Sequence, residues 1–256
     1  MRRLGLVLVF LLLALAVLGP ALVTVDPARQ VLSRALEAPS PEFWLGTDHL
    51  GRSVLARLVH AARLSLGLAA LSVLCAAGIG AGAGLLAAWL GGWVDRALGA
   101  VADALLAVPG LLLVLLLAAV APGQAWALFV GLSLAASVEW FRLFRASARA
   151  LIASPAVEAA GLLGFGWPHT LRRHVLPELL PLGGTLAALG LGNGVLAVGA
   201  LGFVGVGLRP PTAEWGLMMT EMLPYHAEAP VALLAPAVCL FLLVAGTQAL
   251  AGRVAR

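Results

Sequence analysis

Residues 158–177 read EAAGLLGFGWPHTLRRHVLP. Glu158, Ala159, Ala160 and Gly161 follow Ser154-Pro155, a capping residue and then proline at a first helical position, which marks a helix start. Glu158 falls in the first turn, where a carboxylate suits the helix dipole. Gly164 and Gly166 permit a turn, and Trp167-Pro168 can open a second short helix. Trp167, Leu171 and Val175 then share a face at i, i+4 spacing. Five arginines lie between Arg142 and Arg173. The spacing predicts a helix, a turn and a basic second helix, with Pro177 where the next apolar block begins. The alanine and glycine surface of the first helix is narrow enough for a partner to pack closely against it.

Everything around this stretch is apolar. Hydrophobic residues make up 62% of the 256 residues and charged residues 11%, against roughly 25% charged in a soluble domain. The mean hydropathy is +1.03. A spanning helix needs about 20 mostly apolar residues. The first such run is Leu4–Val25, behind Arg2 and Arg3; it exceeds the roughly 7–15 apolar residues of a signal peptide, so a retained helix is expected. Leu64–Val94 carries no charge, and Gly67, Gly78, Gly80, Gly82 and Gly84 suit close helix packing. Gly91-Gly92 marks a turn. A third helix is expected from about Arg96 to Val120. Ala121-Pro122-Gly123-Gln124 breaks the chain before a fourth, about Ala125–Phe144. A fifth spans about Pro181–Leu201, and a sixth Ala229–Ala251. Cys75 and Cys239 sit inside apolar blocks as small hydrophobes.

Six helices place both termini on one side, and arginine chooses the side, because there is no lysine. With the termini inside, the inner segments hold Arg2, Arg3, Arg96, Arg142, Arg145, Arg149, Arg172, Arg173, Arg253 and Arg256. The outer segments hold Arg29, Arg34, Arg52, Arg57, Arg63 and Arg209. That bias puts the termini in the cytoplasm. The outer loop, about 26–62, carries four of the six outer arginines, with Arg63 just beyond it, and is where the charge argument is weakest.

Two further stretches stand out. Leu45-Gly46-Thr47-Asp48-His49-Leu50-Gly51-Arg52-Ser53-Val54-Leu55-Ala56-Arg57-Leu58 precedes the second block. Thr47 and Asp48 can cap a helix running to Arg63. Val54, Leu55, Leu58 and Val59 would then face apolar surroundings, while Arg52, Arg57 and His60 reach headgroups. The run from Leu201 to Gly216, LGFVGVGLRPPTAEWG, is glycine-rich, but no Gly-Lys-Ser/Thr follows, so it is not a phosphate loop. Such spacing in a membrane segment means close packing or a bent, re-entrant backbone, with Glu214 and Trp215 as anchors at the outer interface.

These three stretches, in this order, carry a resemblance. E-A-A-x3-G-x9-H-x-L-P, at Glu158, Ala159, Ala160, Gly164, His174, Leu176 and Pro177, resembles the EAA loop of the permeases of ATP-binding-cassette importers. Its HVLP ending is the form of the dipeptide/oligopeptide/nickel branch. LGTDHLGRSVLARL and LGFVGVGLRPPTAEWG are similar to two other signatures of that branch, with Ser53, Ala56 and Ala213 as departures. Gly161 and the bulky Phe165-Gly166-Trp167 depart within the EAA loop. The resemblance implies an all-α integral membrane protein of six transmembrane helices with the type I ABC-importer permease fold, of the second-permease type. Residues 1–25 would be the first helix, 26–62 a periplasmic loop with an interfacial helix, and 63–256 the core with the coupling loop at about 145–177. It implies ATPase coupling through Glu158, Ala159, Ala160, Gly161, Gly164, Trp167, Leu171, His174, Leu176 and Pro177. It assigns an outer gate or binding-protein docking surface to Thr47, Asp48, Arg52, Glu214 and Trp215. The implied partners are a second permease, two ATPase subunits, a periplasmic or lipoprotein substrate-binding protein and membrane lipid, in a bacterial or archaeal cytoplasmic membrane. Di- and oligopeptides and nickel are the implied cargo classes, and the short lead before the first helix fits the nickel or short-peptide members.

Other classes fit less well. Without lysine there is no Gly-Lys-Ser/Thr loop, so ATP hydrolysis falls to partners and no enzyme is expected. There is no C-x-x-C and no chelating pair among His49, His60, His169, His174 and His226, so neither cofactor nor metal is expected. No arginine-rich face with interleaved aromatics points to nucleic acid. A stand-alone secondary transporter or channel would favour buried charge relays and an internal repeat. The mid-chain acids are Asp103 and Glu139, for which structural pairs with Arg96 and with Arg142 are expected.

Overall fold

The computed structural model describes residues 2–252; Arg253 and Arg256, counted above on the inner side, lie outside them. Among the described residues the chain is all-α. The helices are α1 (Arg2–Leu22), α2 (Val54–Leu90), α3 (Gly92–Leu106), α4 (Gly110–Val120), α5 (Ala125–Ile152), α6 (Pro155–Leu162), α7 (Trp167–Thr170), α8 (Leu176–Phe203), α9 (Trp215–Met222) and α10 (Pro230–Ala251). A π-helical turn, Leu171–Val175, joins α7 to α8. Five rods are long and apolar enough to cross a membrane, and there are six spans where the bent pair α3 and α4 is counted as one.

That break corrects the expected continuous third helix. α3 and α4 meet at 76°, at Pro109. Proline removes a helical N–H and disfavours the α conformation in the residue before it. With 11 residues, α4 rises only about 16 Å, about half of a bilayer core. The turn at Ala121–Gln124 falls where expected, with Gly123 at φ +77°. α5 runs eight residues past Phe144, to Ile152, where Arg145 and Arg149 share the acidic partner Asp95.

α2 is the central rod. Its 37 residues extend about 55 Å, well beyond a bilayer core of about 30 Å. It begins at Val54, capped by Ser53, whose Oγ accepts from the Ala56 N–H at 3.3 Å. Thr47 and Asp48 therefore cap no helix here, and residues 54–62 are the first turns of α2 rather than a separate interfacial helix. α2 packs most extensively on α5. Gly80 and Gly84 carry that approach: a Cβ on Gly84 would lie 2.7 Å from the Phe141 carbonyl oxygen, and one on Gly80 would strike the carbonyl of Ser137. Gly67, Gly78 and Gly82 face open space, so only part of the glycine-rich run serves packing. α1 leans on α10 through a second close approach, where a Cβ on Gly5 would lie 2.7 Å from the Gly246 carbonyl oxygen. Cys239 is buried and Cys75 half-buried, both as free thiols.

Candidate functional site

The coupling segment forms as a helix pair. The Ser154 carbonyl accepts from the Val157 and Glu158 N–H groups and starts α6. At the other end the Gly164 N–H donates to the Gly161 carbonyl at 2.9 Å and the Phe165 N–H to the Ala160 carbonyl at 3.0 Å. This is a Schellman stop, which needs a left-handed residue after the helix; Gly164 supplies it at φ +82°. α7 and the π turn follow, and Pro177 sits in the first turn of α8.

One face of this pair is anchored. Trp167 stacks on Trp89 of α2 at 3.7 Å between centroids. Trp167 and Leu171 pack against the core that holds buried Val175, so the predicted i, i+4 face is a buried seam. Thr170 is buried beside it and His174 half-buried, while Leu176 is half-buried at the head of α8. The other face is open. Glu158, Ala159, Gly161, Gly164 and Pro177 are exposed, and at the tip Leu162 is 85% exposed, Leu163 75% and Phe165 46%. Leu162 and Leu163 were not singled out in the sequence, although an apolar pair beside a glycine helix stop was the available signal. Ala160 is buried, so it does not belong to the surface a partner would meet.

Above this pair a row of arginines ties α5 to α3. Arg145 holds Asp95 through Nε at 2.5 Å and Nη2 at 2.6 Å, and Arg149 joins the same carboxylate. Arg142 donates to Asp103 at 2.7 Å. The expected pairs are thus corrected: Asp103 takes Arg142 across to α5 instead of Arg96, whose Nε donates to the Gly92 carbonyl. Glu139 is left without Arg142.

At the far ends of α2 and α9 lies a second constellation. Asp48 Oδ1 accepts the N–H groups of Leu50 and Arg52, both at 2.9 Å. Its Oδ2 accepts from Arg52 Nε and Arg57 Nη1, both at 2.6 Å. Glu221 of α9 closes the ring, 3.0 Å from Arg52 and 2.6 Å from Arg57. Burial pushes the Asp48 carboxyl up, but the Arg52 N–H and the two guanidinium groups outweigh it and hold the carboxyl below its ordinary range. Arg52 and Arg57 are 0% and 1% exposed, which corrects the expectation that they reach headgroups. Thr47 Oγ1 accepts from the Glu37 N–H at 2.9 Å and donates to the Arg34 carbonyl, folding the loop onto this knot.

Glu214 and Trp215 are buried as well, not placed at an interface. Glu214 caps α9, accepting from Gly216 N–H at 2.9 Å and Leu217 N–H at 2.8 Å. Trp215 Nε1–H donates to the Leu58 carbonyl at 3.2 Å. A Cβ on Gly216 would run into the backbone of Gly199. The 201–216 stretch therefore folds back on α8, as its glycine spacing predicts, and brings α9 beside α2. Arg57 and Glu221 are the partners the sequence reading did not assign; a lone acid in the apolar α9 was the signal.

Midway along the rods, a cavity of about 220 Å³ opens between α2, α4, α5 and α8. Half of its wall is alanine and glycine, with Ser72, Glu139 and Asn193 as the polar side chains.

The sequence matches the model of a protein family described as binding-protein-dependent transport system inner membrane component, over residues 80–256. The chain belongs to that family. The match starts within α2 and takes in the broken span, the coupling pair and the 201–216 fold-back. Family membership also accounts for the all-α, multi-pass architecture, the type I ABC-importer permease fold. The dipeptide transport system permease protein of Alkalihalophilus pseudofirmus is 31% identical over 242 residues, 94% of this chain and 80% of its own. The nickel transport system permease protein of Escherichia coli K12 is 31% identical over 242 residues, covering 94% and 87%. The glutathione transport system permease protein of Pectobacterium atrosepticum is 31% identical over 237 residues, covering 92% and 79%. The chain is accordingly a membrane permease component of this transport family.

Proposed function

We propose that this permease is one of two membrane subunits of an ATP-driven importer in a bacterial or archaeal cytoplasmic membrane. The two would form the pathway for di- or oligopeptides, or for nickel. Two separate ATPase subunits would dock on the coupling loop, about 145–177, and a substrate-binding protein would deliver cargo at the outer loop, about 26–62. The observation that carries the reading is the helix pair itself. It has a stiff, stacked base at Trp89–Trp167 and an uncovered apolar tip at Leu162, Leu163 and Phe165. Apolar side chains so exposed on a short rigid projection suit insertion into a groove. Because the base is packed into α2 and α8, a push on the tip is passed to two spanning rods rather than absorbed by a loop. The transport functions of the relatives supply the cargo classes.

The test is reconstitution with a second permease and two ATPase subunits. ATP-dependent uptake is expected, and uptake by this chain alone on an ion gradient would replace the reading with a secondary transporter. In a background lacking Cys75 and Cys239, a cysteine at exposed Gly161 is expected to crosslink to the ATPase, and one at Leu12, buried in α1, is not. Glu158→Lys places the wrong charge in the first turn of α6 and is expected to lower uptake while insertion is retained.

A further inference from the structure

Glu139 is an acidic side chain halfway along α5, within its apolar stretch, and among the described residues no basic side chain neutralises it. It sits 14 residues into α5, about 21 Å from the start of that helix. Its neighbour one turn on, Arg142, is engaged by Asp103. Arg145 and Arg149 are both engaged by Asp95. Among the described residues no basic side chain pairs with Glu139, and it is exposed on the cavity wall. An ionisable group at this depth is costly unless it faces water or a partner of opposite charge. Asn193, midway along α8 and also exposed, lines the same cavity.

The rest of the wall explains why the space is there. Gly110 marks the start of α4, where the broken span turns away, and Gly190 and Gly194 let α8 approach α2, where a Cβ would lie 3.0 Å from Val73 and 3.1 Å from Ala69. The pocket thus lies beside the break at Pro109 among small residues, with one charge, one amide and the Ser72 hydroxyl on its wall. No histidine or cysteine lines it, and the described residues hold no group of three or more His, Cys, Asp or Glu side chains suited to a metal ion. One carboxylate and one amide are a poor set for a bare transition metal, which favours nitrogen or sulfur ligands. They match an ammonium group, which needs a counter-charge and acceptor oxygens.

We propose that Glu139, with Asn193, forms a cation-selective station in the translocation pathway that receives the ammonium group of an amine-bearing cargo. The proposal rests on the importer reading for the meaning of the pathway, but its charge can be measured apart from ATP coupling. A cysteine replaces Asn193 in the background lacking Cys75 and Cys239, within the assembled transporter in membranes. It is treated separately with a trimethylammonium-ethyl and a sulfonato-ethyl methanethiosulfonate. A single carboxylate on the same cavity wall is expected to favour the cationic reagent about ten-fold over the anionic one. E139Q should bring the ratio close to unity, and E139D should keep it. In the transporter with Asn193 intact, E139Q should also lower cargo uptake several-fold while ATPase activity persists. No reaction with either reagent, a ratio indifferent to E139Q, or unchanged uptake overturns the station. Absent ATP-driven uptake with the ratio intact overturns the importer reading instead.

Discussion

Asp48 illustrates what a single buried carboxylate does here. It accepts two backbone N–H groups and two guanidinium groups at once, and Arg52 and Arg57 have no route to water. Removing one partner of a buried ion cluster leaves the others charged and unsatisfied, at a cost of about 3–5 kcal/mol. Asp48→Ala is therefore expected to lower the thermal midpoint in detergent clearly, whereas Arg34→Ala, on an exposed pair with Glu42, should barely move it. The same carboxyl sets a pH dependence. Its folded value lies below the ordinary 3.8, so its contribution is complete above that value and is lost as pH falls through the lower one. The melting midpoint should fall as the pH drops below about 4, and the D48N variant should lose part of that acid limb. An acid limb of equal depth in D48N would show that other carboxyls set it. This cluster was only half legible in the sequence. LGTD-x-LGR marked Asp48 and Arg52 as special, but their role depends on Glu221, which lies 169 positions from Arg52 and whose signal, a lone acid in the apolar α9, names no partner.

At the scale of the element, the helix stop and the helix break behave differently under mutation. Gly164 holds φ +82° with nothing near its Cβ position, so Gly164→Ala adds backbone strain without a clash, about 1 kcal/mol. Gly164→Pro also removes the N–H that bonds to Gly161 and forbids the left-handed φ. Uptake and cargo-stimulated ATPase activity should fall modestly in the first variant and severely in the second, with insertion retained in both. Equal activity in both would remove the Schellman turn from the coupling pathway. Caps and turns of this kind were legible, because Ser154-Pro155, Gly91-Gly92, Pro122-Gly123 and Gly164 act locally. The break between α3 and α4 was not, since Pro109 sits inside an apolar run whose hydropathy reads as one helix. The cross-helix pairs were misread for a related reason. Arg96 and Arg142 are the near neighbours of Asp103 and Glu139 in sequence, but α3 lies against α5 and brings Arg142 to Asp103 instead.

The whole molecule separates its two charged ends along the rods. Arg142, Arg145 and Arg149 with Asp95 and Asp103 gather at the end that carries α6 and α7. The Asp48–Arg52–Arg57–Glu221 knot closes the end where α2 begins and α9 folds back. α2 begins at the knot and ends at Leu90, next to the Trp89–Trp167 stack, so the two ends lie about 55 Å apart along one helix. That distance exceeds a bilayer core of about 30 Å, and the ends must face opposite compartments. On the proposed reading, the arginine bias puts the α6–α7 end in the cytoplasm. Single cysteines at exposed Trp44 and exposed Arg172, in the background lacking Cys75 and Cys239, test this directly. In intact cells a membrane-impermeant maleimide should label the cysteine at Trp44 and spare the one at Arg172. In inside-out vesicles the pattern should reverse. Labelling of both from one side would break the six-span topology, and labelling of Arg172 alone in intact cells would invert the chain and place the helix pair out of reach of any cytoplasmic ATPase.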